Sequence, residues 1–214
     1  MERSITMKNA TKHADTLKSL FRSMLRDGKP TPFERQEPLK ALVRGAMSYD
    51  VSDTRAEEAM KHIEKEFVHL NELRVATELE VQELLGVRYP AIEQRVEMIT
   101  RCLNAIFEKE HTLSLDRLKT VSKRDARQFL KDLPAINPFV EGYVMLFALE
   151  GAAIPVDNEI TDYLREENVF DDKITLEEGQ RFLEHNIKAE ECYDFYACIR
   201  RELRAEKGKK KAKV

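Results

Sequence analysis

The stretch LPAINPFVEGYVMLFALEGAAIPVDNEI, Leu133 to Ile160, decides how the chain is read. Between Pro138 and Glu150 it carries Phe139, Val140, Tyr143, Val144, Leu146, Phe147, Ala148 and Leu149, which leave little polar face. A helix apolar nearly all round belongs at the centre of a bundle. Asn137 and Pro138 form an N-cap and first-turn pair for this helix, and Gly151 is placed to close it. Leu133, Pro134 and a short Ala135-Ile136-Asn137 turn come before it. After Pro155, Asp157 opens the next helix. A carboxylate at a helix N-terminus caps backbone amides, so capping alone accounts for Asp157. The spacing leaves catalysis open as the alternative.

Outward from this stretch the chain has a period of 3.6 residues almost everywhere, and its seven glycines and scant alternation argue against a sheet. Leu17, Leu20, Phe21, Met24 and Leu25 make one stripe; Leu39, Leu42, Val43, Ala46 and Met47 a second; Ala56, Ala59, Met60, Ile63 and Phe67 a third. Ile92, Val96, Ile99, Leu103 and Phe107 mark a longer helix, and Cys192, Phe195, Tyr196, Ile199 and Leu203 the last. Thr77 with Glu80, Ser122 with Asp125 and Thr175 with Glu178 read as N-terminal caps. The expectation is an all-α protein of about ten short helices without internal repeats.

Composition narrows the function classes. The 214 residues are 42% hydrophobic and 35% charged, which suits one large domain or two small lobes. A net charge of -3 excludes a polycation, so attraction to nucleic acid must come from local patches. No apolar run approaches the ~20 residues that cross a bilayer. The opening MERSITMKNATKHAD has no apolar signal core, and a soluble cytoplasmic protein is expected, nucleoid-associated in a prokaryote. Cys102, Cys192 and Cys198 are too scattered for a disulfide scaffold, and the five histidines form no ligand motif, so no metal site is predicted. The end, RAEKGKKKAKV, has almost nothing to bury and is predicted to be disordered over 204–214. Its Lys209, Lys210 and Lys211 serve either a solubilising terminus or sequence-independent DNA binding.

The order of these pieces resembles the helix-hairpin-helix DNA glycosylases of the endonuclease III superfamily. LPAIN stands where that family has L-P-G-V-G, and IPVDNEI where it has its V-D-T-H-I-like segment. Upstream, LKALVRGAMSYDVSDTRAEEAM is similar to the family's L-L-S-A-Q-A-T-D-V-S segment, with Asp50 to Ser52 intact. LLGVRYPAIEQRVEMI is similar to its I-G-L-Y-N-x-K-A-x-x-I region. The resemblance spans roughly residues 14 to 200.

It implies a two-lobed helical fold: a terminal lobe of residues 1–36 plus 153–203, and a six-helix lobe of 37–152 that carries the hairpin. It implies a carboxylate at Asp157 in the interlobe cleft, stabilising the oxocarbenium-like state as the N-glycosidic bond of a flipped-out base breaks. It implies a partner, damaged double-stranded DNA, met by Leu133, Pro134, Ala135, Ile136 and Asn137 at the hairpin, with Met47 as an apolar wedge or as core. Tyr49 and Tyr143 are candidate stacking residues or core. A monomer that does not touch a membrane is expected.

The departures shape the activity expected. Phe139 stands where bifunctional members carry a Schiff-base lysine, and phenylalanine is no nucleophile, so lyase chemistry of the usual kind is not expected. Lys131 lies nearby in sequence, and nothing in the sequence shows that it reaches the sugar. Ala135 and Asn137 replace the two turn glycines, and Pro138 lacks an amide donor, which weakens phosphate and monovalent-cation binding there. Cys192 and Cys198 lack the two further cysteines of an iron–sulfur cluster, so no cofactor is expected. Three readings follow: a monofunctional N-glycosylase of base excision repair, a catalytically inactive module that binds damaged or distorted DNA, and a scaffold turned to a protein partner.

Overall fold

The computed structural model describes residues 10–86 and 88–211, the last three by backbone alone. Among them are eleven α-helices and no strand: α1 (Ala10–Arg26), α2 (Pro38–Ser48), α3 (Asp53–Glu66), α4 (Leu70–Val75), α5 (Glu78–Leu85), α6 (Ile92–Glu110), α7 (Lys123–Lys131), α8 (Pro138–Phe147), α9 (Asn158–Glu166), α10 (Leu176–Asn186) and α11 (Cys192–Lys211). The chain forms two compact units, residues 1–34 with 151–214 and residues 35–150. The all-α expectation holds.

Local chemistry sets most helix starts. Thr77, Ser122, Asn137, Asp157 and Thr175 each accept an amide with the side-chain oxygen, as their residue types and spacing predict. The six-residue α4 has no such signature and was not legible in the pattern. It begins at His69, whose backbone N–H donates to Glu72.

The 35–150 unit is built on α8, whose residues Phe139 to Phe147 are all buried. Its main neighbour is α2, and Gly45 makes their close approach possible. A Cβ at that position would stand 3.2 Å from the Tyr143 Cβ. The carbonyls that α8 leaves unpaired at its C-terminus find donors elsewhere in the unit. Phe147 O accepts from Gln36 N–H at 3.0 Å, Ala148 O from Arg35 Nε at 2.9 Å and Leu149 O from Lys123 Nζ at 2.5 Å. Two cations at a helix C-terminus also oppose its dipole.

In the other unit α1 lies on α11. Phe21 meets Phe195 edge-on at 5.3 Å, and Arg201 closes the end of α1 by donating to Met24 O at 2.6 Å and Gly28 O at 2.7 Å. The last helix continues to Lys211, so the segment from 204 is helical that far, where its composition predicted disorder. Arg204, Ala205, Glu206 and the lysines are good helix formers, and adding residues to an existing helix needs no new nucleus. Lys207 Nζ also reaches Glu159 at 2.5 Å on α9.

Gly45→Val forces two methyl groups against Tyr143. We expect this overpacking to cost about 1–3 kcal/mol, read as a lower urea midpoint at unchanged slope.

Candidate functional site

The hairpin turn between α7 and α8 is well formed without its glycines. Ala135 is exposed and takes the left-handed conformation at φ 61°, the geometry for which glycine is usual. Asn137 is extended, at φ -101° and ψ 160°, and its side chain accepts from Val140 N–H at 2.8 Å. The strain of the missing glycines thus falls on Ala135, and Asn137 serves as the cap.

Two contacts fix the turn from behind. Leu133 is buried, and Cys102 of α6 donates its thiol to Pro134 O at 3.3 Å. Burial pushes the Cys102 thiol up to about 12, which keeps it protonated and able to donate. The two hairpin helices are also joined by charge: Arg127 Nε on α7 lies 2.7 Å from the buried Glu141 Oε1 on α8. No protein acceptor among the described residues takes the N–H groups of Ala135, Ile136 or Asn137. Lys131, in the last turn of α7, is exposed.

Met47 is wholly buried in α2. Its side chain is core and presents nothing to a base step, so the wedge expectation gives way to the packing one. The candidate stacking residues are occupied likewise. Tyr49, Phe139, Tyr143 and Phe147 form a ladder of rings at 5.5, 6.1 and 4.3 Å, so Phe139, where the resemblance would place a lysine, is one of its rungs.

Sequence reasoning missed what holds the end of α2. The guanidinium of Arg95, from α6, donates to Ala46 O, to Tyr49 O at 2.5 Å and to Pro90 O at 2.7 Å. Tyr89 Oη donates to Met47 O at 2.8 Å. Burial lowers the Arg95 pKa and raises that of Tyr89, without discharging the arginine at neutral pH. No local pattern announces this network, because its bonds to α2 and Tyr49 join residues more than 40 apart in sequence.

Asp157 sits in the other unit with 0% of its side chain exposed. Oδ1 accepts from Ile160 N–H at 2.9 Å, capping α9, and its backbone carbonyl accepts from Thr161 Oγ1 at 2.8 Å. Oδ2, the oxygen that the cap leaves over, accepts from Arg200 Nη1 of α11 at 3.1 Å. Arg200 is itself 6% exposed. Both carboxylate oxygens are therefore engaged, and the charge is matched inside the unit by a guanidinium that the sequence reading did not identify.

The candidate lysines Lys209, Lys210 and Lys211 have side chains outside the described residues. Cys102, Cys192 and Cys198 are buried free thiols, and no group of three or more His, Cys, Asp or Glu residues among those described is placed to hold a metal. No helix among the described residues is long and apolar enough to cross a membrane.

With this geometry in hand, known proteins separate fold from sequence. No protein-family model and no curated protein sequence matches the chain. Solved structures do. An 8-oxoguanine glycosylase/lyase from Clostridium acetobutylicum, in complex with double-stranded DNA, superposes at a TM-score of 0.72, with 16% identity over 93% of this chain and 71% of that one. Endonuclease III trapped on DNA gives 0.67, with 14% identity over 90% and 85%. The H. pylori 3-methyladenine DNA glycosylase MagIII, bound to 1,N6-ethenoadenine, gives 0.64, with 14% identity over 90% and 95%. This is the helix-hairpin-helix DNA glycosylase fold. The expectation drawn from LPAIN and IPVDNEI holds at the level of fold, including the turn whose glycines are missing.

Ala135→Gly removes a left-handed alanine costing about 1–2 kcal/mol, against about 0.4–1 kcal/mol of added freedom in the unfolded chain. A net gain of roughly 0.5–1 kcal/mol is expected in denaturant unfolding. Cys102 should stay unmodified by a thiol reagent at pH 8 under native conditions and react fully in denaturant, since a thiol held near 12 is not ionised there.

Proposed function

We propose that the protein binds damaged or distorted double-stranded DNA through the α7–α8 turn and does not itself excise a base. The turn supports the binding half. Its exposed Ala135, unclaimed amides and neighbouring Lys131 suit a DNA phosphate: backbone N–H groups at a helix start attract anions, and the fixed turn loses little entropy on contact. Pro138 withholds one donor, so the grip on phosphate is weaker than a glycine-rich hairpin would give.

The Asp157–Arg200 pair carries the second half. Stabilising an oxocarbenium-like centre requires a carboxylate whose field points at the substrate and is not cancelled nearby. Asp157 has no exposed surface, and the oxygen not used by the cap is neutralised by Arg200. Phe139 supplies no nucleophile for a covalent route at the position where the resemblance places a lysine.

A second reading is a monofunctional N-glycosylase acting through Asp157. It is favoured by the placement of Asp157, which caps the helix that follows the buried α8, the position of the catalytic acid in the resemblance. That reading requires Arg200 to leave its partner when DNA binds.

Anisotropy titration with a duplex containing an abasic-site analogue tests the binding. Ala135→Asp keeps a residue type that tolerates the left-handed turn but sets a negative charge against the phosphate. It should weaken binding about tenfold or more, and the neutral Ala135→Asn should not. Equal affinity for all three chains would remove the turn from the interface. Incubation with a panel of base lesions should leave every glycosidic bond intact. Release by the native chain that is lost in Asp157→Asn would establish the second reading.

A further inference from the structure

Four large apolar side chains stand out among the described residues as exposed, and three are far more so than the fourth: Val68 at 75%, Val75 at 64% and Leu79 at 63%, with Phe107 behind them. All four belong to the 35–150 unit, and the three most exposed fall within twelve residues of chain. Phe107 is covered by the Arg74 guanidinium, 4.3 Å above its ring. The other three relate, through its lining, to an open groove of about 580 Å³ formed by the end of α3, α4 and α5. Val75 lines it; Val68 follows the lining residue Phe67, and Leu79 precedes the lining residue Glu80.

The groove joins two properties. Phe67, Val75, Ala76 and Leu84 give it an apolar floor, and Glu66, Glu72, Glu80 and Glu83 give it carboxylates, with no lysine or arginine in the lining. Two of these charges are held in place by the caps they complete. Glu80 accepts from Thr77 N–H at 2.7 Å and from Thr77 Oγ1 at 2.8 Å, and Glu72 accepts from His69 N–H at 3.4 Å. The bonds from Thr77 keep the Glu80 carboxyl below the usual carboxylate range, so it stays ionised. Such a groove repels DNA phosphate and belongs to a different function from the hairpin turn.

We propose that the α3–α5 groove docks a basic amphipathic segment of a partner protein, its large apolar side chains entering between Phe67, Val75 and Leu84 and its lysines or arginines meeting the four glutamates. Charge complementarity selects this occupant: an apolar helix without cations would bury carboxylates unpaired, and a purely cationic segment would leave the floor wet. The chain's own lysine-rich end supplies the cations but no large apolar anchor before Val214, which sets it apart from the segment required. An apolar face laid into a groove with anchors a helical turn apart is a recurrent mode of peptide recognition, and a groove of this size fits a transient contact.

The test uses the full chain, ¹⁵N-labelled, titrated with a synthetic fourteen-residue peptide that bears leucines on one helical face and lysines on the other. We expect amide shifts confined to residues 66–84, and affinity lowered about tenfold by Leu79→Ser and again by Glu83→Lys, both surface changes that leave the fold intact. Two control peptides, Leu→Ser and Lys→Glu, should each bind at least tenfold more weakly. Shifts scattered over other acidic surfaces, equal affinity for the Leu→Ser peptide, or indifference to both substitutions would overturn the proposal. So would self-association in sedimentation that Leu79→Ser abolishes, which would make a second copy the occupant.

Discussion

A negative charge with no exposed surface must be answered inside the protein, and at Asp157 two groups answer it. Desolvating a carboxylate costs several kcal/mol even after relaxation. A helix cap recovers about 1 kcal/mol and a helix dipole in a buried setting up to about 2 kcal/mol. Those contributions leave a deficit. The Arg200 guanidinium closes it by taking the oxygen that the cap does not use. Asp157 is buried against Arg200 because α11 passes α9 at this point, and α9 starts where it does because Asp157 is there to cap it.

This arrangement bears directly on function. In the fold that the chain shares with DNA glycosylases, catalytic power rests on electrostatics aimed at a developing cation. An arginine on the same carboxylate converts an outward field into an internal bond. The other departures point the same way. Phe139 is a rung in a ladder of aromatic rings rather than a nucleophile, and Met47 lies in the core with its backbone held by Tyr89 and its neighbours by Arg95. On the reading proposed above, the scaffold keeps the positions and changes what they do. At the α7–α8 turn, Ala135 bears a strained conformation that the surrounding helices impose.

The fold was legible in the sequence where its determinants are local. Thr77, Ser122, Asn137, Asp157 and Thr175 announce helix starts because a cap acts within three residues of its own position. The apolar run from Phe139 to Leu149 announces a central helix because no face is left for water. The site was legible only in outline. Asp157 could be found, but the arginine that pairs with it lies 43 residues further on, on a helix whose pattern gives no hint of a buried cation. Arg95 and Arg201 escaped for a different reason: each donates to backbone carbonyls, which are present at every residue and leave no mark in the sequence. The lysine-rich end misled in the opposite direction, because composition measures what a segment can bury and not what an existing helix can extend into.

The most direct measurement is a double-mutant cycle on the buried pair: Asp157→Ala, Arg200→Met and the two together, each unfolded in urea. If the pair is a structural lock, each single change strands a buried charge and costs about 3–5 kcal/mol, while the double change costs no more than either alone, giving a coupling above about 2 kcal/mol. Single changes that each cost under about 1 kcal/mol and simply add would show that Asp157 carries its charge without Arg200, and that the carboxylate is held for chemistry rather than for the fold.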